Sequence, residues 1–318
     1  MIQLPEAGHS ALVPAGPQAR SVDRLWDGMY GTSIVVFVLV VGFLLYGALR
    51  RRPPDEVRME GQVSRMLTAV VIATGLTIAV LFCFLVLDIS VGSALSRTPS
   101  GATRIEVTGH QWWWEVKYPG ARPGDQVITA NEIHLPVGRP VTIELRSEDV
   151  IHSFWPPSLT GKRDLIPGKV TTVSFEADRP GVYRGQCAEY CGHQHAKMAF
   201  LVVAEPADRF GAWLARQRDT AVTPADTLAR RGRDVFVSTT CAMCHAIEGT
   251  PAGSHVGPDL THLMSRHTIA AGTLPNTRGW RAGWVADPQS IKPGTKMPPS
   301  DLSAGDLQAV LAYLETLR

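Results

Sequence analysis

The sequence predicts a multidomain membrane protein with a two-helix transmembrane hairpin, an antiparallel β-sandwich or barrel, and a small all-α domain. Three observations predict this order. Two long runs without charge lie near the N-terminus, short β-type runs follow between residues 103 and 203, and helical patterns surround a C-x-x-C-H motif after residue 206. A chain of 318 residues with 45% apolar content is long enough for two or three such compact units.

The first element is a pair of membrane-spanning helices. Residues 28–49 and 66–87 are two runs of 22 residues without a charged side chain. At a rise of about 1.5 Å per residue, such a run spans about 33 Å, which is enough for the hydrocarbon core of a bilayer. Buried helices of a soluble protein are the alternative, which the length of the charge-free runs disfavours. We predict transmembrane helices at 28–49 and 66–91.

The connection at 50–65 sets the expected orientation. It is crowded with arginines, namely Arg50, Arg51, Arg52, Arg58 and Arg65. By the positive-inside rule this loop faces the cytoplasm, so the N-terminal segment at 1–27 and the domains after the second helix lie on the outer face of the membrane. The N-terminal segment lacks the pattern of a signal peptide, which leaves two alternatives: the first helix inserts by itself, or a signal has been removed.

The net charge and the positions of the cysteines exclude some classes of protein and favour others. The formal net charge of +2 is too small to argue for a nucleic-acid partner. Of the five cysteines, Cys83 lies in an apolar run and the others form two pairs, 187/191 and 241/244, each with a histidine nearby. Such spacing favours metal or haem chemistry over a disulfide framework.

The region at 100–205 is predicted to be a β domain. Runs such as RIEVTG, VTIELRS, VTTVSF and MAFLVV are separated by the turn signals VGRP, IPGK and DRPG. Several short strands at this spacing indicate an antiparallel sandwich or barrel. The stretch GQCAEYCGHQHAKM, at 185–198, lies in the last loop of this unit.

The ligand types in this loop favour copper. Thiolate and thioether sulfur together with imidazole suit copper. A blue-copper site has a single copper ion and a single cysteine ligand. This loop has two cysteines, Cys187 and Cys191, and therefore one more thiolate than such a site uses. Two thiolates can instead bridge two copper ions, each of which then needs an imidazole. His195 supplies one, Met198 a weak sulfur ligand, and His152, just after a predicted strand, is the best candidate for the other imidazole.

Residues 206–222 are predicted to form a helix and a linker, and 223–318 a small helical domain. Residues 241–245, CAMCH, match the C-x-x-C-H pattern of covalent c-type haem attachment. Cys241 and Cys244 would reach the two vinyl groups of one porphyrin, His245 would bind the iron, and Met297 is the candidate for the opposite iron ligand. A thioredoxin-like pair or half of a zinc site are the alternatives, but neither a βαβ pattern nor a second ligand pair is evident.

These motifs together resemble a known family. The pattern C-x-E-x-C-x-x-x-H-x-x-M, with a histidine in SEDVIHSFW 35 residues before the first cysteine, resembles the dinuclear copper (CuA) domain of cytochrome c oxidase subunit II. The resemblance includes the two spans and GHQWWWEVKY at 109–118. With the haem motif behind it, the chain resembles subunit II of a caa3-type oxidase. The resemblance implies a cupredoxin-like fold at 100–205 and a class I cytochrome c domain at 223–318.

Within the haem domain, GPDL at 257–260 and KPGTKMPP at 292–299 also resemble class I cytochromes c. Gly232 and Phe236 on the first helix and Tyr313 on the last resemble that family's helix-crossing contact. Ordinary core packing would explain these three residues equally well.

The resemblance also implies roles for individual residues. Cys187 and Cys191 would bridge the copper ions, His152 and His195 would be the terminal imidazoles, Met198 would bind one copper weakly, and Glu189 would bind the other through its backbone carbonyl. The Glu189 side chain would also reach a magnesium or manganese ion at the interface with subunit I. Trp112 would be the point where electrons from cytochrome c enter; an aromatic belt of Trp112, Trp113 and Trp114 at the membrane surface is the alternative.

The implied function is electron transfer within a haem-copper terminal oxidase. Electrons would pass from cytochrome c through the chain's own haem c and the CuA centre to subunit I, which reduces O2 to water with proton translocation. Subunits I and III, cytochrome c and membrane lipid are the expected partners. The subunit of a CuA-type nitric oxide reductase is one alternative. A membrane-anchored copper-delivery or docking protein is another, although a fused haem has no use in simple copper delivery.

Overall fold

The computed structural model describes residues 9–50 and 59–318. They divide into two compact units, one at 20–97 and one that combines 98–318 with the N-terminal residues up to 19. The start of the predicted N-terminal segment, at 1–8, and the arginine-rich stretch at 51–58 lie outside the described residues.

The first unit consists of two long helices. Helix α1 covers Pro17–Leu49 and helix α2 covers Met59–Leu95. Both begin before the charge-free runs, since the polar residues that precede each run also favour helix, and α1 starts at a proline, which the first turn accommodates. Both are long and apolar enough to cross a membrane, and the most apolar stretch of each helix is not buried against the described chain. A helix that is apolar all round is expected where lipid surrounds it.

The second unit begins with a ten-stranded β-sandwich. The strands are β1 Thr103–His110, β2 Trp113–Tyr118, β3 Val127–Ala130, β4 Glu132–Pro136, β5 Val141–Ser147, β6 His152–Trp155, β7 Arg163–Leu165, β8 Thr171–Phe175, β9 Gly181–Cys187 and β10 Ala199–Glu205. One sheet has the order β3-β2-β1-β5-β8 and the other β4-β10-β9-β6-β7. The predicted sandwich is therefore confirmed. Most neighbouring strands in it are antiparallel, as predicted, but the pairs β1/β5 and β4/β10 are parallel.

Alternation along the strands builds the core between the sheets. In β1, Ile105 and Val107 are fully buried, while Glu106 between them is partly exposed. Aromatic rings fill the centre, where Phe154 stacks on Phe200 at 4.5 Å between ring centroids and Trp114 packs edge-on against Phe200 at 5.3 Å. This rigid aromatic centre lies directly behind the ends of β9 and β10, the two strands that flank the cysteine loop.

The remainder of the second unit is helical. Helix α3 covers Ala207–Arg216, and the haem-motif domain then contains α4 Thr227–Ser238, α5 Cys241–Cys244, α6 Arg278–Ala286, α7 Pro288–Ile291 and α8 Ala304–Leu314, with a small ladder of β11 Thr268–Ile269 and β12 Leu274–Pro275. The last helix is capped by Ser303, whose side chain accepts the backbone N–H of Asp306.

The predicted helix crossing in this domain is also confirmed. Helices α4 and α8 meet at Gly232, where an added Cβ would lie 1.9 Å from the carbonyl oxygen of Ala309. Phe236 and Tyr313 pack edge to face beside it, with 6.0 Å between their ring centroids. The glycine therefore allows a close backbone approach between the first and last helices of the domain.

Candidate copper and haem centres

The cysteine loop connects two neighbouring antiparallel strands. Strand β9 ends at Cys187, the loop includes a 3₁₀ turn at His195–Lys197, and β10 begins at Ala199. The backbone N–H of Cys187 donates to the carbonyl of Met198 at 2.9 Å, which closes the loop at its base. Strand β6 lies on the other side of β9 and begins at His152, so the histidine reaches the loop from a separate part of the sequence.

The structure brings all six predicted copper-binding residues into one cluster. The two cysteine sulfurs lie 3.7 Å apart, and the Glu189 carbonyl oxygen is 3.2 Å from the Cys187 sulfur. The other contacts join His152 Nδ1 to Cys187 Sγ at 3.9 Å, His195 Nδ1 to Cys191 Sγ at 3.6 Å and Met198 Sδ to Cys191 Sγ at 3.7 Å. Each cysteine thus has its own imidazole, which is the division of ligands that a two-ion centre requires.

Four of the six residues in the cluster are buried, whereas Glu189 and His195 are partly exposed. His152 and Met198 are fully buried, and each cysteine is only 2% exposed. A hydrogen bond joins the two sulfurs, and this contact lowers the pKa of Cys187 to about 3 and raises the pKa of Cys191. A bound cation would allow both thiols to ionise. The donor set of two thiolates, two imidazoles and a thioether fits copper, since thioether sulfur is a soft ligand that other common metal ions use poorly.

Asp149 orients the imidazole of His152. Its Oδ1 lies 2.9 Å from His152 Nε2, which leaves Nδ1 facing the thiol of Cys187. Burial opposes ionisation of this carboxyl, but hydrogen bonds from His152 and from the backbone amides of Gln111 and Val150 outweigh it and hold the pKa of Asp149 well below its ordinary value. A carboxylate that fixes a ligand histidine in this way is a common support for metal sites. The sequence contained the signal, an aspartate three residues before the histidine, but sequence reasoning gave it no role.

The three consecutive tryptophans occupy different environments. Trp112 is 9% exposed, and its indole Nε1–H donates to the carbonyl of Cys191 at 2.9 Å. Trp113 stacks on His110 at 4.4 Å between ring centroids, and Trp114 is fully buried in the core. The burial of Trp112 and Trp114 in the β domain does not support the membrane-belt alternative for these two residues, and Trp112 contacts the copper loop directly.

The haem motif forms one helical turn. Cys241 and Cys244 are the first and last residues of α5, and His245 follows as the residue that ends it. The Nδ1–H of His245 is positioned to donate to the carbonyl of Pro258 at 2.7 Å, which leaves Nε2 as the atom that could bind iron. Burial lowers the pKa of His245, so the imidazole stays in the neutral form that a metal ligand needs.

Two further features fit a covalent haem. An added Cβ at Gly257 would lie 2.8 Å from the His245 ring, so glycine makes room for the imidazole. Arg266 is 8% exposed, and its Nε has no hydrogen-bond partner among the described residues. A buried polar atom without a partner is consistent with a guanidinium that binds an anionic group such as a porphyrin carboxylate. Met297 lies half-buried in the segment after α7, whereas Met243 is 71% exposed.

Comparison with known proteins agrees with the geometry. Residues 124–205 match the family model described as cytochrome c oxidase subunit II, periplasmic domain, and residues 229–318 match cytochrome c. The chain is 36% identical to the cytochrome c oxidase subunit 2 of Alkalihalophilus pseudofirmus over 99% of this chain and 92% of that protein. It is 30% identical to the cytochrome c oxidase subunit 2 of Bacillus subtilis over 97% of this chain and 92% of that protein.

A solved structure is also similar over part of the chain. The periplasmic domain of subunit II of the cytochrome oxidase of Bradyrhizobium japonicum is 28% identical, covering 38% of this chain and 97% of that one, with a TM-score of 0.36. The two full-length relatives include both the copper-domain and the haem-domain regions of this chain. The chain therefore belongs to the cytochrome c oxidase subunit II family, with a cytochrome c domain fused behind its copper domain.

Proposed function

We propose that this chain is the subunit through which electrons enter a haem-copper terminal oxidase of the caa3 type. Electrons come from cytochrome c to the chain's own haem domain, pass to the copper domain and continue to subunit I, where O2 is reduced to water with proton translocation. One observation carries the proposal: the domain with the haem-attachment motif packs directly on the loop that contains the copper-ligand cluster, with Gln194 of that loop donating to the carbonyl of Pro293.

The copper ligands are assigned from the cluster. Cys187 and Cys191 would bridge two copper ions, His152 and His195 would each bind one, and Met198 and the Glu189 carbonyl would complete the set. When bound, the copper pair supplies one-electron chemistry with charge shared over two ions. The protein holds the ligands in place, and the buried position of the cluster excludes water from them.

In the haem domain, Cys241 and Cys244 would hold the porphyrin covalently, and His245 and Met297 would be the two iron ligands. The Pro258 carbonyl orients the His245 ring through Nδ1. This hydrogen bond fixes the tautomer and increases the basicity of the coordinating nitrogen.

Two residues have proposed roles at the margins of the copper site. Trp112 would connect an electron donor to the cluster, which its hydrogen bond to the Cys191 carbonyl supports. The carboxylate of Glu189 would reach a magnesium or manganese ion at the interface with subunit I, and its half-buried position at the cluster is compatible with that role.

The membrane arrangement is likewise proposed. Helices α1 and α2 would both cross the bacterial inner membrane, with surrounding lipid and with subunits I and III as neighbours. The arginines between the spans would face the cytoplasm. The copper and haem domains would then lie on the periplasmic side, where a soluble or membrane-attached cytochrome c can reach them.

The alternatives are less well supported. The relatives named cytochrome c oxidase subunit 2 do not favour the nitric oxide reductase alternative. A copper-delivery protein has to release its metal, whereas here the ligand cluster is buried and Asp149 holds one imidazole in a fixed orientation. These contacts favour permanent copper binding.

The metal content and electron spin resonance spectrum of the purified full-length chain test the copper assignment. We expect two copper ions per covalent haem and one unpaired electron coupled to both copper nuclei. His195→Ala should abolish the two-nucleus pattern, and His193→Ala, an exposed histidine in the same loop, should retain it. A single-nucleus pattern in the unmodified chain, or equal effects of the two variants, would refute the dinuclear assignment.

The terminal acceptor is tested on the purified complex. With reduced cytochrome c as donor, we expect consumption of O2 that stops in the Cys244→Ser and Cys191→Ser variants. Reduction of nitric oxide in place of O2 would support the reductase alternative instead. Failure of subunit I to copurify with the chain, together with loss of copper to a weak chelator, would favour the delivery protein.

A further inference from the structure

The haem domain is attached to the copper domain by more than its linker. Two titratable side chains are buried where the two domains meet: Glu132 of the copper domain is 1% exposed, and Lys292 of the haem domain is 2% exposed. Burial, and then the neighbouring Lys197 ammonium, lowers the pKa of Lys292 to about 7. Charged side chains are rarely buried this completely unless they have partners. Each of the two finds partners in the opposite domain.

Glu132 is the first residue of β4 and inserts its carboxylate into the haem domain. Oε1 accepts the backbone N–H groups of His267 at 2.7 Å and Thr268 at 2.9 Å, and Oε2 lies 2.9 Å from His267 Nδ1. Strand β4 pairs with β10, the strand that begins directly after the copper loop. The haem domain is therefore hydrogen-bonded to the sheet that supports the copper ligands.

Lys292 makes the reverse connection. Its ammonium donates to the carbonyls of Trp112 at 3.3 Å, Lys197 at 2.9 Å and Ala270 at 3.3 Å, so all three of its N–H groups have acceptors. Trp112 contacts the copper loop through its indole, and Lys197 lies within the loop, next to Met198. Lys292 is five residues before Met297, so the segment that supplies the proposed iron ligand is held against the copper loop.

Neighbouring contacts complete this interface. Lys197 Nζ donates to the carbonyl of Ile291, and the N–H of Ala199, the first residue of β10, donates to the carbonyl of Ala271 at 3.0 Å. Ala270 and Ala271 have φ values of 54° and 55°, a conformation that alanine adopts at a cost. Their carbonyls accept from Lys292 and Ala199, so the strained turn is used to present acceptors to the interface.

These buried side chains determine how the haem domain is positioned on the copper domain. A displacement of the haem domain that broke these contacts would leave a carboxylate or an ammonium buried without its hydrogen bonds, which is far more costly than the loss of an apolar contact. The observed docking arrangement satisfies both groups at once, because Glu132 accepts from the amides at 267 and 268 and Lys292 donates to carbonyls of three separate segments. Buried groups that need specific hydrogen-bond partners in the other domain fix the register of an interface in this way.

We propose that Glu132 and Lys292 are positioning residues that lock the haem domain onto the copper domain in a single orientation. The haem domain then delivers electrons from a fixed distance and does not search for the copper site at the end of a flexible tether. The lock also holds the haem domain against Trp112, which is only 9% exposed, so an external electron donor docks on the haem domain. The consequence for electron transfer rests on the proposed function, whereas the docking itself does not.

The first test measures docking by hydrogen exchange in the full-length chain in detergent. We expect Lys292→Met and Glu132→Gln to accelerate exchange of the amides of Thr268 and Ala199 by about tenfold or more, the scale of one lost hydrogen bond to a charged group. Lys169→Met and Glu148→Gln, which change exposed residues of the same types, are the matched controls. Interface amides that exchange as in the controls would overturn the lock.

The second test measures haem-to-copper electron transfer after rapid reduction of the haem, at increasing solvent viscosity. We expect a rate independent of viscosity in the unmodified chain, and a slower, viscosity-dependent rate in both lock variants with an unchanged haem spectrum. A viscosity-dependent rate in the unmodified chain would overturn the fixed geometry. Accelerated exchange in the variants with no haem-to-copper transfer in any chain would support the lock and refute the proposed function.

Discussion

Replacement of Gly185 by alanine tests whether the aromatic core behind the copper loop is as rigid as the structure indicates. Gly185 lies directly opposite Phe200 in the β9/β10 pair. An added Cβ would be 2.1 Å from the Phe200 ring, against an ordinary contact of at least 3.4 Å, so the ring would have to move by about 1.3 Å. Phe200 is fully buried between Phe154 and Trp114, and its movement would displace those rings as well.

The expected loss of stability follows from this crowding. Overpacking of a filled core typically costs about 1–3 kcal/mol, and the absence of space around Phe200 argues for at least the middle of that range. A loss of about 2 kcal/mol corresponds to about thirtyfold faster hydrogen exchange of amides that are exposed by opening of the two strands. Gly185 lies two residues before Cys187, and Phe200 two residues after Met198, so the displacement should also weaken copper binding.

Native-state hydrogen exchange of β9 and β10, read by mass spectrometry, measures this loss. Gly181→Ala is the matched control in the same strand, because its Cβ would meet only the Tyr183 ring at an ordinary 3.5 Å. Its exchange should stay within about threefold of the unmodified chain. Equal protection in the Gly185→Ala and Gly181→Ala variants would show that the core adjusts freely and that the reasoning is wrong.

Three other predictions concern the copper support, the helix crossing and the domain interface. Asp149→Asn should lower copper affinity by about 10- to 100-fold in chelator competition, whereas the exposed control Glu148→Gln should not, and equal affinities would contradict the orienting role. Gly232→Ala should lower the thermal midpoint of the haem domain, because the added Cβ would overlap a backbone carbonyl. The midpoint should fall by about 4–8 °C for each kcal/mol of stability that is lost. Gly283→Ala is the control and should not lower the midpoint, because its Cβ would meet one side-chain carbon at an ordinary 3.8 Å. His267 faces the carboxylates at the start of β4 and the end of β10, and its hydrogen bond to the first of them raises its pKa. The protonated form of His267 therefore stabilises the docked chain below about pH 6.5, and this contribution is lost as the pH rises through the raised pKa. We expect the difference in thermal midpoint between the unmodified chain and His267→Gln to shrink with rising pH. A difference that stays constant would contradict this role.

The copper cluster was predictable because its ligands are concentrated in sequence. Five of the six proposed ligands lie between Cys187 and Met198, and their chemistry limits the metal before any fold is known. The sixth, His152, required a prediction of which strand lies beside β9, and it rested on the family resemblance as well as on its position after a predicted strand. The β6/β9 pairing places it against Cys187.

The strand pairing and the domain interface were not predictable in the same way. Alternation of apolar residues indicates strands but does not distinguish a parallel from an antiparallel neighbour, so the β1/β5 and β4/β10 pairs could not be assigned. Lys292 lies in a haem-domain motif and resembles an ordinary surface lysine. Its role depends on backbone carbonyls of three distant segments, and carbonyls have no sequence signature.

The contacts around the copper loop explain why a docked haem domain suits this centre. An electron-transfer site works fastest when its ligands hardly move, and the cysteine loop is held from three sides: by its own hairpin at Cys187, by Asp149 through His152, and by the haem domain through Lys292. The same lysine that restrains the loop also holds the segment that contains Met297. A displacement at the interface would therefore change both the rigidity of the copper ligands and the distance to the haem. Docking and copper-site geometry are consequently coupled, and substitutions at Lys292 should affect the two together.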